Sequence, residues 1–344
     1  MAFSVIDKSS SYFSTKLYTG NNTGQSITGV GFKPDLIWNK GRNNAEHNNI
    51  WDIVRGVGKG LVPSSNGGES AWSTGVTSFD SDGWTMGSLD SMNDGSKTYA
   101  SWNWKASGTT GSANTDGDIA STVSVNTTAG FSIVKYTGTL TSATNTTVGH
   151  GLGVAPKMII IKSTSNSENW GVQHTGLTAN YMLQLNTTAA QFDTSGQGTL
   201  TSPTSSVFTI NYKGEWGNNG QDYMAYCWAD VPGFSKMGSY IGNASTNGTF
   251  SYTGFRPAFV MVKNTGGANA WELRDTKRPG YNLSTGTLYP NSSDAENTGE
   301  GIDIFSNGFK CRASGNGQNG ANRYIYAAFG QPIVSNSGQP NTAF

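Results

Sequence analysis

The segment "GFKPDLIWNK" (residues 31–40) contains a proline, an apolar run and a closing lysine, and the chain uses this pattern three times. The second occurrence is "GVAPKMIIIKS" at 153–163, and the third is "GFRPAFVMVKN" at 254–264. In each copy the lysine follows the proline by six positions. A continuous apolar run between proline and lysine is typical of a buried strand, with proline at its start where no ladder hydrogen bond is lost.

Each copy carries the same aromatic landmarks at matching distances. The interval from proline to a downstream tyrosine is 65 residues in the first copy and 67 in the other two, and a large aromatic residue follows five positions later. A repeat of this length predicts three copies of one module of about 100 residues. The residues predicted to form the repeat core are Pro34, Pro156, Pro257, Tyr99, Tyr223, Tyr324, Trp104, Trp228 and Phe329.

Composition indicates the fold class. The 344 residues include 46 glycines, only 13% are charged, and Ser, Thr and Asn are abundant throughout. Turn residues between short runs of β-branched and aromatic residues favour strands over helices. We expect an all-β chain of three tandem, jelly-roll-like β-sandwich modules. The predicted divisions are module one at 1–106, a polar linker at 107–129, module two at 130–232, module three at 233–334 and a tail at 335–344.

The charge pattern argues against two classes of partner. The formal net charge is zero, with 22 basic and 22 acidic residues that form no long runs. A nucleic-acid or membrane-surface protein would show a basic face, so we expect neither nucleic acid nor membrane as a partner. The N-terminal residues lack the apolar segment of a signal peptide, which predicts synthesis in a cytoplasm.

Ten tryptophans are typical of a sugar-binding protein, but the last strand of each module alternates large apolar and smaller residues, which predicts an inward face in each copy. Trp104 and Trp228 occupy such inward positions. The candidates for ligand contact are Trp72, Trp84, Trp216 and His150, since aromatic faces stack on sugar rings and loops carry binding residues.

No pattern of residues predicts catalysis, a metal or a cofactor. The pair Asp80 and Asp82 in "FDSDGW" resembles the start of a calcium loop, but the other modules have no acids there, which indicates a turn. Glycosidases need two facing carboxylates, and no such pair is evident. The acids and arginines of "WDIVRG" (51–56) and "WELRDTKR" (271–278) are interpreted as structural ion pairs, which contribute little if exposed. We therefore expect a protein that is not an enzyme.

Several long segments resemble a domain family of unknown function found in virion proteins of marine and cyanobacterial tailed phages. They include "SSSYFSTKLYTGN" (9–21), "GHGLGVAPKMIIIK" (149–162) and "YMAYCWADVPGFSKMGSYIGN" (223–243), and the resemblance extends over about residues 6–334. It implies a structural protein of the virion, often described as tail-fibre-like, without established catalytic residues.

Three functions follow as hypotheses. The first is a tail or fibre component on the particle exterior that acts in host attachment, with surface glycan as a possible ligand. The second is a capsid decoration (cement) protein, and the third is an enzyme that degrades surface polysaccharide. The expected partners are other virion proteins and further copies of the chain, as a homo-oligomer such as a trimer, because virion appendages use closed rotational symmetry. Tandem sandwiches predict either an elongated rod or a compact triangle.

Overall fold

The computed structural model describes residues 5–211, 216–279 and 281–332, and the expected tail at 335–344 lies outside them. The described chain is all-β and consists of antiparallel sheets packed as sandwiches, as predicted. Its only helical elements in the described ranges are one four-residue α-helix, α1 (Asp90–Asn93), and two short 3₁₀ turns, Ser9–Ser11 and Ser195–Gln197.

The strands divide among the three modules and the segment that precedes module two. Module one contains β1 (Phe13–Thr19), β2 (Gln25–Thr28), β3 (Leu36–Gly41), β4 (Asn49–Asp52), β5 (Lys59–Gly60), β6 (Ser70–Ala71), β7 (Val76–Asp80), β8 (Gly83–Met86) and β9 (Thr98–Trp104). The next segment contains β10 (Ser112–Asn114) and β11 (Ser121–Asn126). Module two contains β12 (Phe131–Thr137), β13 (Asn145–Gly149), β14 (Met158–Ser163), β15 (Gly171–His174), β16 (Tyr181–Gln184), β17 (Phe192–Asp193), β18 (Val207–Asn211) and β19 (Asp222–Trp228). Module three contains β20 (Ser235–Ile241), β21 (Phe250–Tyr252), β22 (Phe255–Asn264), β23 (Glu272–Asp275), β24 (Ile302–Phe305), β25 (Gly308–Cys311) and β26 (Arg323–Pro332).

The same strand order occurs in each module. The main sheets run β1-β9-β3-β4, β12-β19-β14-β15 and β20-β26-β22-β23, so the first strand always pairs with the last. In the smaller second sheet, the second strand pairs with the next-to-last strand: β2 with β8, β13 with β18 and β21 with β25. Nested pairing of first with last strands is the connectivity of jelly-roll sandwiches.

The three proline-containing segments form the equivalent strands β3, β14 and β22, each beside the last strand of its module. All six residues of β3 and of β14 are buried, as the continuous apolar pattern predicted. Pro34 and Pro156 lie two residues ahead of their strands, whereas Pro257 lies inside β22 at a register shift. Each position tolerates the missing proline N–H.

The segment 107–129 differs from the free polar linker that composition suggested. Its strand β11 pairs with β12, so β10 and β11 extend the main sheet of module two at one edge, and β16 and β17 extend it at the other, to eight strands in all. Val123 and Val125 alternate with Ser and Thr there, and β-branched residues favour a pleated surface. Val123 packs into the core of module two, which explains why the segment is ordered against that module.

Each main sheet is buried on both faces. One face packs on the module's own second sheet and forms a separate core, for example around Trp84 in module one, Phe208 in module two and Phe309 in module three. The other face meets the main sheets of the other two modules in one shared central core. The three modules therefore form a compact ring around a common apolar centre.

Trp104 shows how closely the modules meet in the central core. Its ring centroid lies 6.0 Å from that of Trp228 in module two, 5.8 Å from Phe259 and 5.5 Å from Phe329 in module three. Edge-to-face aromatic contacts at these distances are favourable beyond the area that they bury. The last strands of all three modules thus bury their large side chains against one another.

The repeated lysines close the ring. Lys40, Lys162 and Lys263 are buried, and each Nζ donates to a backbone carbonyl of another module. The acceptors are Ser293 O for Lys40 (2.9 Å), Asn66 O for Lys162 (3.1 Å) and Thr188 O for Lys263 (3.0 Å). Module one therefore contacts module three, module three contacts module two, and module two contacts module one. This cyclic arrangement gives the chain an internal threefold pseudo-symmetry.

Modules two and three have a tryptophan shortly after the repeated lysine, and the first tryptophan at that place in module one, Trp51, is not equivalent to it. Trp170 and Trp271 follow their prolines by 14 positions, and the residue 14 positions after Pro34 is Asn48, not Trp51. Trp51 instead packs in the separate core of module one. The three equivalent side chains donate to carbonyls of the next module: Trp170 to Val62 and Ser65, Trp271 to Gln184, and Asn48 to Tyr289, Pro290 and Ser292.

The residue that ends the fourth strand of each main sheet links the modules in the opposite direction around the ring. Asp52 accepts a hydrogen bond from Tyr226 Oη (2.8 Å), Asp275 accepts one from Trp102 Nε1 (3.0 Å), and His174 Nε2 donates to Tyr326 O (3.2 Å). These contacts explain why module two has a histidine where the others have an acid.

The acids and arginines interpreted from sequence as structural ion pairs do form pairs at Asp52 and Asp275, and both pairs are buried rather than exposed. Arg55 Nε lies 2.5 Å from Asp52, and Arg278 Nε lies 2.7 Å from Asp275. Each carboxylate therefore neutralises an arginine of its own module while it accepts an aromatic donor from another. Removing one partner of such a buried pair is strongly destabilising.

Replacement of Tyr226 by phenylalanine tests this link between modules one and two. Tyr226→Phe removes the hydroxyl donor to buried Asp52 while it keeps the ring in the central core. We expect the free energy of unfolding to fall by about 1–3 kcal/mol, as for the loss of a buried hydrogen bond. Guanidinium chloride unfolding would measure this, with Tyr281→Phe as control because Tyr281 is 89% exposed. Equal midpoints for both variants would contradict the link.

His174 makes the stability of the ring depend on pH. Its neutral ring donates from Nε2 to Tyr326 O and accepts the Gly176 N–H at Nδ1, and burial lowers the pKa of His174 to about 4. In the unfolded chain the pKa of histidine is about 6.5. Between these values the unfolded state binds more protons, so stability falls as the pH is lowered.

We expect His174 to remove up to about 3 kcal/mol of stability between pH 6.5 and 4. Burial raises the pKa of Asp35 to about 6, which gives an opposite trend, so the difference between wild type and His174→Gln is the quantity to measure. That difference should shrink towards low pH. The exposed His47→Gln is the control, and a pH-independent difference for His174→Gln would exclude this role.

Candidate functional site

The tryptophans proposed from sequence as ligand contacts are mostly internal. Trp84 and Trp216 are fully buried, in the cores of modules one and two. Trp84 packs edge-on against Tyr18, with ring centroids 6.1 Å apart. Trp72 is half-buried and packs on Trp51 at 5.9 Å. The candidates Trp84, on strand β8, and Trp216, which the sequence places in a loop, therefore present no face to a ligand, because both side chains lie in a sandwich core.

His150 is also buried, contrary to the expectation of an accessible turn residue. Its Nδ1 accepts the Leu152 N–H at 3.1 Å and its Nε2 lies 3.2 Å from Thr204 O. Burial lowers the pKa of His150, which favours the neutral ring. Its role in the structure is to close a turn. The nine residues predicted as the repeat core are all buried.

The second sheet of module three presents a group of exposed aromatic side chains that the sequence reasoning missed. Phe250 is 43% exposed, Tyr252 58% and Phe305 38%. Phe250 and Tyr252 are two residues apart on β21 and point outwards, whereas Ser251 between them is buried. We call Phe250, Tyr252 and Phe305 the aromatic platform.

A glycine gives the platform a flat base. Gly308 pairs with Tyr252 on one side and with Phe305 on the other. A Cβ on Gly308 would lie 2.8 Å from Phe250 Cζ, so the Phe250 ring crosses directly over the glycine backbone. Phe250 reaches Phe305 with ring centroids 5.9 Å apart.

Polar groups frame the platform. Lys236 Nζ lies 5.4 Å from the centre of the Tyr252 ring and donates to Tyr252 O at 3.1 Å. On the same outer face, Asp303 pairs with Arg312 at 2.5 Å. Exposed rings stack on the C–H faces of sugars or other flat apolar surfaces. The side chains of Lys236, Asp303 and Arg312 can form hydrogen bonds with hydroxyl groups. The arrangement suits binding of a saccharide.

The other modules lack these aromatics. The register of β2, β8 and β7 matches that of β21, β25 and β24, because Gly83 and Gly308 precede equivalent core aromatics. The module-one residues at the positions of Phe250, Tyr252 and Phe305 are Ser26, Thr28 and Asp80. The fold therefore does not require aromatics there. Comparing the outward positions of the repeats would have found the platform from sequence.

Other chemistry-bearing groups form no centre in the described parts of the chain. Within residues 5–211, 216–279 and 281–332, no group of three or more His, Cys, Asp or Glu side chains is placed to hold a metal ion. Cys227 and Cys311 are free and buried, and burial raises the pKa of both thiols. In the same ranges, no helix has the length and apolarity needed to cross a membrane.

Exchanging platform residues for their module-one equivalents tests whether the aromatics serve the fold. We expect Phe250→Ser and Tyr252→Thr each to change the free energy of unfolding by no more than about 1 kcal/mol, as is usual at exposed sites. The buried Trp84→Ala should cost about 3–5 kcal/mol in the same denaturation assay. If the platform variants lost as much stability as Trp84→Ala, the aromatics would be structural.

Comparison with known proteins identifies a family whose description states no function. A family model described as a domain of unknown function matches residues 8–332. No curated protein matches the chain. The matched region includes all three modules. The chain belongs to the family of domains of unknown function DUF7483.

Proposed function

We propose that the chain is a structural protein on the exterior of a bacteriophage particle, a tail or fibre component whose third module binds host-surface glycan. The virion location rests on the resemblance of the sequence to phage structural proteins. The binding role rests on the aromatic platform, whose three exposed rings replace polar residues of module one. Exposed aromatic patches rimmed by polar residues mark interaction sites.

Binding fits this site better than hydrolysis of a glycan. A glycosidase places two carboxylates about 5–10 Å apart across the bond that it cleaves. Asp303, the acid on the outer face of the platform's sheet, is ion-paired with Arg312. The platform geometry therefore supports a protein that holds a saccharide without catalysis.

The closed ring of three modules affects how the chain is expected to contact other proteins. Virion appendages commonly obtain closed symmetry from several identical chains. Here three modules already form a closed ring within one chain, through the buried contacts of Lys40, Lys162 and Lys263. We propose that contacts with other virion proteins, or with further copies, use the outer surfaces of the modules.

A capsid decoration protein is the second candidate. The compact ring with threefold pseudo-symmetry favours it, because such a body fits a threefold position on a particle shell better than it fits an extended fibre. In that role the platform would contact a capsid protein rather than a host glycan.

Immunogold labelling of intact particles of the encoding phage tests the location. We expect gold at the tail or fibres, whereas gold distributed over the head would favour capsid decoration. Absence of gold from intact particles would contradict an exterior virion protein.

Binding of the purified chain to host cells tests the platform. Tyr252→Thr combined with Phe305→Ser should weaken binding by about tenfold or more, since stacking on exposed rings would be lost. Trp72→Phe is the matched control on module one. Equal binding by the platform variant and the control would exclude the platform as the attachment site.

A further inference from the structure

The three junctions between adjacent modules are built from equivalent loops that follow the fourth strand of each main sheet. In module one, Val54 of this loop packs against the central core. In module two, Gly176 lies so close to module three that an added Cβ would be 2.9 Å from Ile325 Cγ2. The corresponding residue in module three is Lys277, two positions after Asp275.

At this third junction a cleft of about 720 Å³ opens between modules one and three. We call it the junction cleft. Its lining includes Ser10 and Ser14 from module one and Arg256, Lys277, Tyr281 and Gln331 from module three. Val54 and Gly176 thus contact the core or the next module at their junctions, while the third junction presents a lysine and an open cleft.

The cleft is cationic. A second depression of about 480 Å³ shares Ser10, Ser14 and Lys277 with it and adds Lys8 and Lys16. No acidic residue lines either depression among the described residues. Over the whole chain, basic and acidic residues are equal in number. The two depressions therefore carry a local excess of positive charge that the chain as a whole does not have.

Arg256 is the key residue of the cleft. It is partly buried, and within the described ranges it has no hydrogen-bond or ion-pair partner for its guanidinium. Burial lowers the pKa of Arg256, which reflects the cost of a desolvated cation without a carboxylate. By contrast, the buried Arg55 and Arg278 are both paired with aspartates.

One neighbouring acid affects the outer depression. The pKa of Asp82 is lowered by hydrogen bonds from the Gly31 and Gly29 amides and by the nearby charge of Lys16. The positive potential of the junction cleft depends chiefly on Arg256 and Lys277.

We propose that the junction cleft binds a saccharide that carries an oxyanion, either a sulfate ester or a carboxylate. The planar fork of Arg256 matches the geometry of such a group, and Lys277 adds a second charge. The Ser10 and Ser14 hydroxyls can donate to the same oxygens. Tyr281, 89% exposed at the cleft, offers a ring for stacking on the sugar.

A polysaccharide fits the cleft better than nucleic acid does. Nucleic-acid binding sites carry basic residues along an extended face, because successive phosphates must be neutralised. Here the cations converge on one cleft of a chain with no net charge. The proposal is independent of the aromatic platform and of the location of the protein.

Calorimetric titration of the full chain with three matched polymers tests the proposal: dextran sulfate, carboxymethyl dextran and uncharged dextran. We expect at least one charged polymer to bind, with affinity that falls as salt rises, and uncharged dextran to bind at least tenfold more weakly. A preference between the two charged polymers identifies sulfate or carboxylate as the recognised group.

Charge-removing variants locate the site. Arg256→Gln and Lys277→Gln should each weaken binding by about tenfold. The control is Lys135→Gln, which removes the same charge from an exposed position on β12 of module two and should bind as wild type does. Lys277 is exposed, so Lys277→Gln tests the site even if Arg256→Gln perturbs folding. Absence of binding by both charged polymers, or equal weakening by the control, would overturn the proposal.

Discussion

The structure depends on one constraint, that the main sheet of each module has two apolar faces and only one small sheet of its own. A second sheet of two or three strands covers one face, and the other face would expose Trp102, Trp104 and their neighbours to water. Isolated domains rarely tolerate an exposed apolar patch of that kind. The three modules solve the problem for one another by packing all three faces into one core. Each module is thus a unit of sequence repetition without being an independent unit of folding.

A shared core also determines how the polar groups around it are arranged. Lys40, Lys162 and Lys263 lie where water is excluded, so their ammonium groups need carbonyl partners. Each Nζ donates to a carbonyl of its own module, at Glu46 (2.6 Å), Glu168 (2.8 Å) and Asn269 (2.7 Å), and also to a carbonyl of another module. Burial lowers the pKa of Lys40 and Lys263 to about 8, because the charged ammonium is less favourable away from water. Buried polar contacts of this type fix one relative orientation of the modules, whereas apolar packing alone would allow several.

The sequence predicted the repeated strand, the all-β class and the inward position of Trp104 and Trp228, because these depend on local periodicity and on spacing. Periodicity shows that a face is buried, but it does not show what covers it. The central core therefore could not be predicted from alternation within one strand. The same limit applies to Asp52 and Trp84. The burial of Asp52 depends on Tyr226, 174 residues away, and the burial of Trp84 depends on the sheet that packs over β8.

The pseudo-symmetry offers a way to separate structural from functional residues. Positions that maintain the ring must satisfy the same contacts in each module, as the stacked pairs Tyr18–Tyr99, Tyr136–Tyr223 and Tyr240–Tyr324 do at 5.0–5.2 Å. Outward positions carry no such requirement, so a departure there needs another cause. Module three departs in two places, the aromatic platform and the junction cleft, and β24 contributes to both, with Phe305 in the first and Ile304 in the second. Module one has polar residues at the platform positions, and modules one and two have Val54 and Gly176 in place of Lys277. The same fold is therefore reached without these features, so module three is where binding is expected, and modules one and two supply the core that holds it in place.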